Sequence, residues 1–294
     1  MPKILNYGSL NLDYVYEVEH FVQPGETIAS KSLSVNCGGK GLNQSIACAR
    51  AGGEVFHAGK IGAEGGMLKA ELDKSGVNTS FLVQDGGSNG HAIIQVNAEG
   101  NNCILLYAGS NHQIKEAEIE ACLDYFGAGD YLVLQNEVNH ISYMIDRAYE
   151  KGMYIVLNPS PITEELKEYP LHKVSLFLLN EVEGKALSGE MQEEKIPEVL
   201  KEKYPEAEIL LTLGERGSIY FDGEMLIKQK AYPVKAVDTT AAGDTFTGYF
   251  VALRAGGRSV EEALDLASKA AGMACARKGA AASIPELAEV NMQW

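Results

Sequence analysis

From residue 130 onward the chain repeats one alternation that few folds can accommodate, a short apolar run followed by a segment of helical length and spacing. "DYLVLQ" (130 to 135), "YIVLNP" (154 to 159), "VSLFLLN" (174 to 180) and "EILLTLG" (208 to 214) read as strands, with "ISYMIDRAYEKG" (141 to 152) and "EEKIPEVLKEKYP" (193 to 205) as helices among them. Strands that alternate with helices build right-handed crossover units, and these stack into a parallel sheet covered on both faces. "KILNYGS" (Lys3 to Ser9) adds a further strand. The predicted fold class is therefore α/β, with three layers and a mainly parallel central sheet flanked by helices. In such sheets ligands collect outside the carboxyl ends of the strands, so the chemistry is sought where strands stop.

The first third of the chain has a different rhythm. "DYVYEVEH" and "SKSLSVN", separated by "QPGET", alternate as half-exposed antiparallel strands do, and so do residues from about His91 to Tyr107 around the turn "NAEGNN". These stretches, about 12–36 and 90–108, predict a small β-sheet appended to a single domain spanning 1–294. Between them, "GGKGLNQSIACARAGG" predicts a glycine-fronted helix from Gly38 to Ala51.

Composition mainly excludes. A formal net charge of -15 opposes a broad positive surface for nucleic acid or anionic membrane. The N-terminus has no long apolar core, and no apolar stretch approaches the roughly 20 residues that span a bilayer, so a cytoplasmic protein is expected. Five cysteines, odd in number and never in CxxC spacing, argue against a disulfide framework and a zinc site. The histidines show no ligand spacing for a transition metal.

Polar clusters stand at the predicted strand ends: Asn11 and Asp13, Glu137, Asn180 with Glu183, "TLGERG" (212 to 217), and Asp238 to Asp244. Each alone has a bland account. "NLD" could be a turn, Asn180 and Glu183 a helix cap, "GERG" a hairpin turn and Asp244 an N-cap. Their joint placement at one rim favours chemistry. In "AAGD" a helix beginning near Ala242 would turn the N–H groups of Ala242, Gly243 and Asp244 toward one point, an anion site left open by small side chains. A resting phosphate would be repelled by Asp244. In a phosphoryl transfer, by contrast, that carboxylate accepts the proton of the attacking hydroxyl while the N–H groups stabilise the moving charge. No GxxxxGK[ST] or GxGxxG occurs, so polyphosphate would be neutralised by Mg2+ and backbone dipoles, and "NEVE" at Asn180 to Glu183 offers oxygen ligands.

Together these stretches resemble the ribokinase (PfkB-type) family of sugar kinases over nearly the full length. "GSLNLD" resembles the family's sugar-binding N-x-D, "GGKGLNQSIACARAGG" its first signature and "VDTTAAGDTFTGYF" its second. "LQNE", "LNPSP", "LLNEVE", "TLGERG" and "ARKGAAASIP" follow in the family's order. The resemblance implies a ribokinase-like fold and transfer of a phosphoryl group from ATP to the primary hydroxyl of a sugar, ribose before others. It places Asn11, Asp13, Gly39, Lys40, Gly41, Asn43 and Glu137 in the sugar pocket. Asp244 would be the general base, with Gly243 and Ala242 in the anion hole. The nucleotide and its Mg2+ would meet Asn180, Glu183, Thr212, Leu213, Gly214, Glu215, Arg216, Gly217, Gly243 and Ser268. Potassium beside the anion hole would be held by Asp238, Thr240, Ala274, Arg277, Gly279 and Ser283, several through carbonyls. The early alternating segments would form a lid that covers the sugar and pairs with a second copy in a homodimer.

The chain departs from the family pattern in three places. "KIGAEGGMLKAEL" (60 to 72) shortens the usual G-x-D-x-x-G stretch and has Glu64 near the expected aspartate. Ser268 stands where relatives often carry asparagine or histidine, and Asn136 precedes Glu137. The alternatives are a kinase of the same family acting on fructose, a deoxy sugar or a nucleoside, and a noncatalytic sensor on the same fold.

Overall fold

A computed structural model of the protein describes residues 1–293. In chain order the elements are β1 (Lys3–Tyr7), β2 (Asn11–Glu17), β3 (Ser32–Gly38), α1 (Lys40–Arg50), β4 (Glu54–Ile61), α2 (Gly66–Lys74) and β5 (Asn78–Gln84). Then come β6 (Gly90–Val96), β7 (Asn102–Tyr107), α3 (Glu116–Leu123), β8 (Tyr131–Gln135), α4 (Ile141–Glu150), β9 (Tyr154–Asn158) and β10 (Leu176–Leu179). The chain continues through α5 (Glu181–Ser188), α6 (Ile196–Lys203), β11 (Glu208–Thr212), β12 (Ser218–Phe221), β13 (Leu226–Gln229), α7 (Ala242–Ala255), α8 (Val260–Cys275) and α9 (Leu287–Gln293).

The large sheet has nine strands in the order β13-β12-β11-β10-β9-β8-β1-β4-β5. It is parallel from β11 through β5, and β12 and β13 add an antiparallel edge. The three-layer, mainly parallel expectation holds. The parallel strands are apolar on both faces because helices cover both: on β8, Val133 joins one core with α1, α7 and α8, whereas Leu132 and Leu134 join the other with α3, α4 and α6.

A second sheet of four strands runs β3-β2-β6-β7. β3 is antiparallel to β2, β6 parallel to it, and β7 closes the hairpin through "NAEGNN". "NLD" is the start of β2, so Asn11 and Asp13 sit on a strand and the turn reading fails. No helix among the described residues is long and apolar enough to cross a membrane.

The sheet order positions the site. β1 has β4 on one side and β8 on the other, so the chain reverses its direction of sheet growth there. The crevice at the carboxyl ends of β1 and β8 is the switch point at which such sheets bind ligands. Ser9 follows β1 and Glu137 follows β8 at that crevice.

Candidate active site

Ser9 and Glu137 close the switch point directly: the Ser9 hydroxyl donates a short hydrogen bond to Glu137 Oε2. The same oxygen accepts from the N–H of Lys40 at 3.2 Å, at the first turn of α1. Gly39 turns the chain into that helix with φ 99°, and a Cβ there would stand 2.9 Å from the Ser9 carbonyl, so the tight entry requires glycine. Lys40, Asn43 and Glu137 are thereby gathered at one mouth.

The electrostatics of this mouth are strained. Burial, reinforced by Glu137, lifts Asp13 from 3.8 to about 7. Its carboxylate has no hydrogen-bond partner among the described residues, and it lies so close over Gly38 that a Cβ there would meet Oδ2 at 2.0 Å. Burial also raises Glu137, against the opposing pull of Lys40 and the Ser9 hydrogen bond. Burial works to lower Lys40, but Asp244, Glu137 and Glu183 outweigh it and hold the ammonium above its ordinary range. A charged lysine and three carboxylates share this mouth, with Asp13 unpaired among the described residues, a set suited to a polar ligand. Asn11 faces the same region, buried and held by a 2.8 Å bond from Asn111 Nδ2 to its Oδ1. Gly41 does not belong with them. Its N–H goes to Ser9 Oγ, its carbonyl accepts from Asn6, and a Cβ would meet the Ser9 nitrogen at 2.4 Å. Gly41 packs α1 onto the end of β1 and presents nothing to a pocket.

Asp244 reaches the mouth from α7. Asn43 Nδ2 donates to its Oδ2 at 3.0 Å and Gln44 Nε2 to its Oδ1 at 2.9 Å, so both oxygens are tied to α1. The helix starts at Ala242 after Ala241, whose φ of 61° is left-handed and uncommon outside glycine. The anion turn differs from expectation in one respect. The Ala242 N–H is already donated to the Thr239 carbonyl at 3.2 Å, leaving the N–H groups of Gly243 and Asp244 at the helix's positive end. Gly243 is exposed and borders open space.

That turn opens onto a cavity of about 710 Å3 lined by Thr212, Gly214, Glu215, Arg216, Gly217, Ala242, Gly243 and Ser268, among others. Tyr232, Pro233, Val234, Phe246 and Ala271 line it as well, which the sequence did not disclose because no polar motif marks them. Four residues assigned to the nucleotide from sequence also have other partners or surroundings. Leu213, just past the end of β11, is buried in the core packed against the α3, α4 and α6 side of the sheet. Asn180 and Glu183 form the helix cap of α5, with Glu183 N donating to Asn180 Oδ1 at 2.9 Å and the Asn180 N–H and Nδ2 donating to the two Glu183 oxygens at 3.0 and 2.9 Å. Each Glu183 oxygen thus accepts one bond from its own cap, and no cluster of three acidic, His or Cys groups for a metal occurs among the described residues. Arg216 lines the cavity but pairs with Glu193 at 2.5 Å and Glu181 at 3.3 Å. "GERG" is also the hairpin turn of the bland reading, joining antiparallel β11 and β12.

Beside the turn, residues 237–240 are stitched to 275–279. The N–H groups of Val237 and Asp238 donate to the Cys275 carbonyl, Gly279 N to Asp238 Oδ2 at 3.0 Å, and the Thr240 N–H and hydroxyl to Asp238 Oδ1 at 2.9 and 2.6 Å. Burial tends to raise Asp238, but these hydrogen bonds and Lys278 override it and hold the carboxyl below its usual range. Arg277 turns its guanidinium to Glu289, and Ser283 is buried with its hydroxyl on the Ala280 carbonyl. The Ala274 carbonyl accepts from Arg277 N at 3.0 Å. Oxygen donors alone, one a carboxylate, on two joined backbone stretches fit a hard monovalent cation, with Arg277 able to contribute only its carbonyl.

The departures resolve simply. Residues 62–65 make a tight turn held by a bond from Gly62 N to Asn89 Oδ1 at 2.9 Å, and Glu64 is exposed. The Asn136 side chain bonds to the Pro161 carbonyl, Thr163 and Tyr169, all on the 161–169 segment.

The family model for pfkB family carbohydrate kinases matches residues 1–287. The chain belongs to that family. A ribokinase of Staphylococcus aureus (strain COL) is 34% identical over 300 residues, covering 98% of each chain. Among solved structures, a Cryptococcus neoformans ribokinase in complex with ADP superposes with TM-score 0.87 at 33% identity, covering 100% of both chains. An Arabidopsis thaliana ribokinase complexed with ribose and ATP reaches TM-score 0.87 at 29% identity, covering 99% of this chain and 98% of that one.

Proposed function

We propose that the protein transfers the terminal phosphoryl group of ATP to the primary hydroxyl of D-ribose, giving ribose 5-phosphate and ADP. The observation that carries this is Asp244: its carboxylate is fixed by Asn43 and Gln44 at the mouth that holds Asp13, Lys40 and Glu137, one residue from the Gly243 N–H that opens on the large cavity. Similarity to ribokinases, one of them complexed with ribose and ATP, supports the choice of substrates.

On this reading Asn11, Asp13, Gly39, Lys40, Asn43 and Glu137 hold the sugar hydroxyls, for which hydrogen bonds to charged groups contribute about 1.5 to 3 kcal/mol each. Asp244 takes the proton of the primary hydroxyl as that oxygen bonds to the γ-phosphorus. The bond from γ-phosphorus to the bridging oxygen breaks, ADP leaves with that electron pair, and the N–H groups of Gly243 and Asp244 stabilise the transferring group. The nucleotide lies in the cavity between Thr212–Gly217 and Ser268. Mg2+ bound with ATP would neutralise part of the polyphosphate charge, as the chain has no Walker lysine to do so. Asp238, Thr240 and the carbonyls of Ala274, Arg277 and Gly279, near Ser283, would hold potassium, whose charge would stiffen the loops flanking the anion turn. The four-stranded sheet is the lid that excludes water from the transfer. Its outer strand β7 is exposed along its whole length and includes Leu105 at 67% and Ile104 at 55%, an apolar edge suited to a second copy.

Purified protein assayed with ATP against ribose, deoxyribose, fructose and adenosine, with and without potassium, tests the assignment. Ribose should give the highest kcat/KM, and a markedly better substrate among the others would replace it. Asp244→Asn should lower kcat at least about a hundredfold while ribose still binds. Unchanged turnover in that variant rejects the base assignment.

A further inference from the structure

Beneath the mouth runs a chain of buried amide side chains to which the proposed reaction gives no role. Asn6 on β1, Gln44 on α1, Gln135 at the end of β8 and Asn158 at the end of β9 are 0%, 0%, 1% and 9% exposed. Asn6 Nδ2 donates to the Gly41 carbonyl at 3.0 Å. Gln135 Nε2 donates to Asn6 Oδ1 at 3.1 Å and to Gln44 Oε1 at 2.8 Å. Gln44 Nε2 donates to Asp244 Oδ1 at 2.9 Å and to Asn158 Oδ1 at 3.4 Å, and Asn158 Nδ2 to the Leu178 carbonyl at 2.9 Å.

The polarity of this chain is decided at its two ends. A primary amide offers a donor at one side and an acceptor at the other, and a half-turn exchanges them. A backbone carbonyl and an ionised carboxylate can only accept. Asn6 must therefore turn its NH2 to Gly41 and its oxygen to Gln135, and Gln44 must turn its NH2 to Asp244 and its oxygen to Gln135. Gln135 stands between two oxygens and gives both hydrogens of its Nε2 to them. The cost is visible: Gln135 Oε1 is buried with no hydrogen-bond partner. Within this chain of four amides one oxygen is left unpaired, while Gln44 is held with its donor toward Asp244.

We infer that Gln44, oriented by Gln135, is a positioning residue for Asp244. Gln44 donates to Oδ1 and Asn43 to Oδ2, so rotation of the carboxylate would break both bonds, and each oxygen keeps a lone pair for a proton. Without Gln135, the Gln44 oxygen loses its donor, and only the bonds of its Nε2 to Asp244 and Asn158 oppose a half-turn that would set that oxygen against Oδ1 of the base. The inference rests on the reading of Asp244 as the general base.

The test measures kcat, the KM values for ribose and ATP, and thermal midpoints for Gln44→Met and Gln135→Met, which keep side-chain length and remove the amide. Gln44→Met should lower kcat by about tenfold or more, the scale on which small misplacements of a catalytic group act, and Gln135→Met by about three- to tenfold. Both KM values should stay within about twofold, because neither amide touches a substrate. In an Asp244→Asn background Gln44→Met should have no further effect on kcat, since its route of action is already removed. Should Gln44→Met fail to fold, Gln135→Met, two residues removed from the reacting atoms, carries the same test. Unchanged kcat in a folded Gln135→Met or Gln44→Met, a rise in KM with kcat kept, or an additive effect in the double variant overturns the inference. A slow Asp244→Asn beside an unaffected Gln44→Met rejects the positioning role alone, whereas a fully active Asp244→Asn rejects the base reading beneath it.

Discussion

Gly248 on α7 lies against Ala47 on α1 so closely that a Cβ at Gly248 would stand 2.4 Å from the Ala47 Cβ and 2.7 Å from the Gln44 carbonyl oxygen. Asp244 is one turn before Gly248, and Gln44 is within one turn of Ala47. The close approach of the two helices at the glycine is what brings the Asp244 carboxylate within 2.9 Å of Gln44 and 3.0 Å of Asn43. Gly248→Ala should therefore cost about 1–3 kcal/mol by overpacking and should lower kcat by prising Asp244 from its partners. The same change at Gly66 on α2, where a Cβ meets nothing within 4 Å, should be neutral or slightly stabilising. Equal urea midpoints for the two variants would contradict this account of the helix contact.

The raised Asp13 couples sugar binding to pH. In the folded chain it titrates at about 7, against 3.8 for an ordinary aspartate. Between those values the folded chain holds a proton that the unfolded chain has lost, so this group's contribution to stability falls as pH rises from about 4 to about 7. A sugar hydroxyl donating to Asp13 favours the ionised form, so ribose binding should expel a proton and tighten as pH rises. Ribose Kd, measured calorimetrically without nucleotide, should be about tenfold weaker at pH 6 than at pH 8. The raised Glu137 acts in the same sense. In Asp13→Asn most of the slope should vanish, and a flat profile in the parent protein would refute the coupling.

Asp238 ties residues 237–240 to Gly279, and its carboxyl is the one full negative charge in the oxygen set beside the anion turn. Asp238→Ala should abolish any stimulation by potassium over a tetramethylammonium salt and slow turnover even at saturating potassium, because both loops lose their common anchor. Retention of the full potassium response in this variant would exclude Asp238 as a ligand.

The exposed β7 edge predicts self-association. In solution the protein should sediment at twice its 31.7 kDa chain mass. Leu105→Glu should shift it to the monomer, since an unpaired charge at the centre of a buried apolar edge costs several kcal/mol. A parent protein that sediments as a monomer removes the lid-to-lid pairing.

Much of this molecule was legible in order along the chain. The period-two and helical patterns marked the parallel sheet, the helices and the small sheet, because burial on one or two faces leaves a local signature in residue type. Asn11, Asp13, Lys40, Asn43, Glu137 and Asp244 stand out in the sequence as polar groups within or beside apolar and glycine-rich runs, and the structure gathers them at one mouth. Leu213 and Gly41 were assigned from the same motifs, but one packs into the core just past β11 and the other brings α1 close to the end of β1. Asn180 and Glu183 satisfy each other, a pairing that spacing permits but does not decide.

What the sequence alone determined was thus the set of elements and the inventory of chemical groups at their ends, both encoded by short-range pattern. Which groups meet was decided only by the tertiary structure. Asn6, Gln44, Gln135 and Asp244 come from β1, α1, β8 and α7, and their hydrogen bonds join residues as much as 200 positions apart. No local period records such partners: the strand order and the glycine-sized gap between α1 and α7 place them, and the low dielectric of the interior gives their mutual orientation its weight.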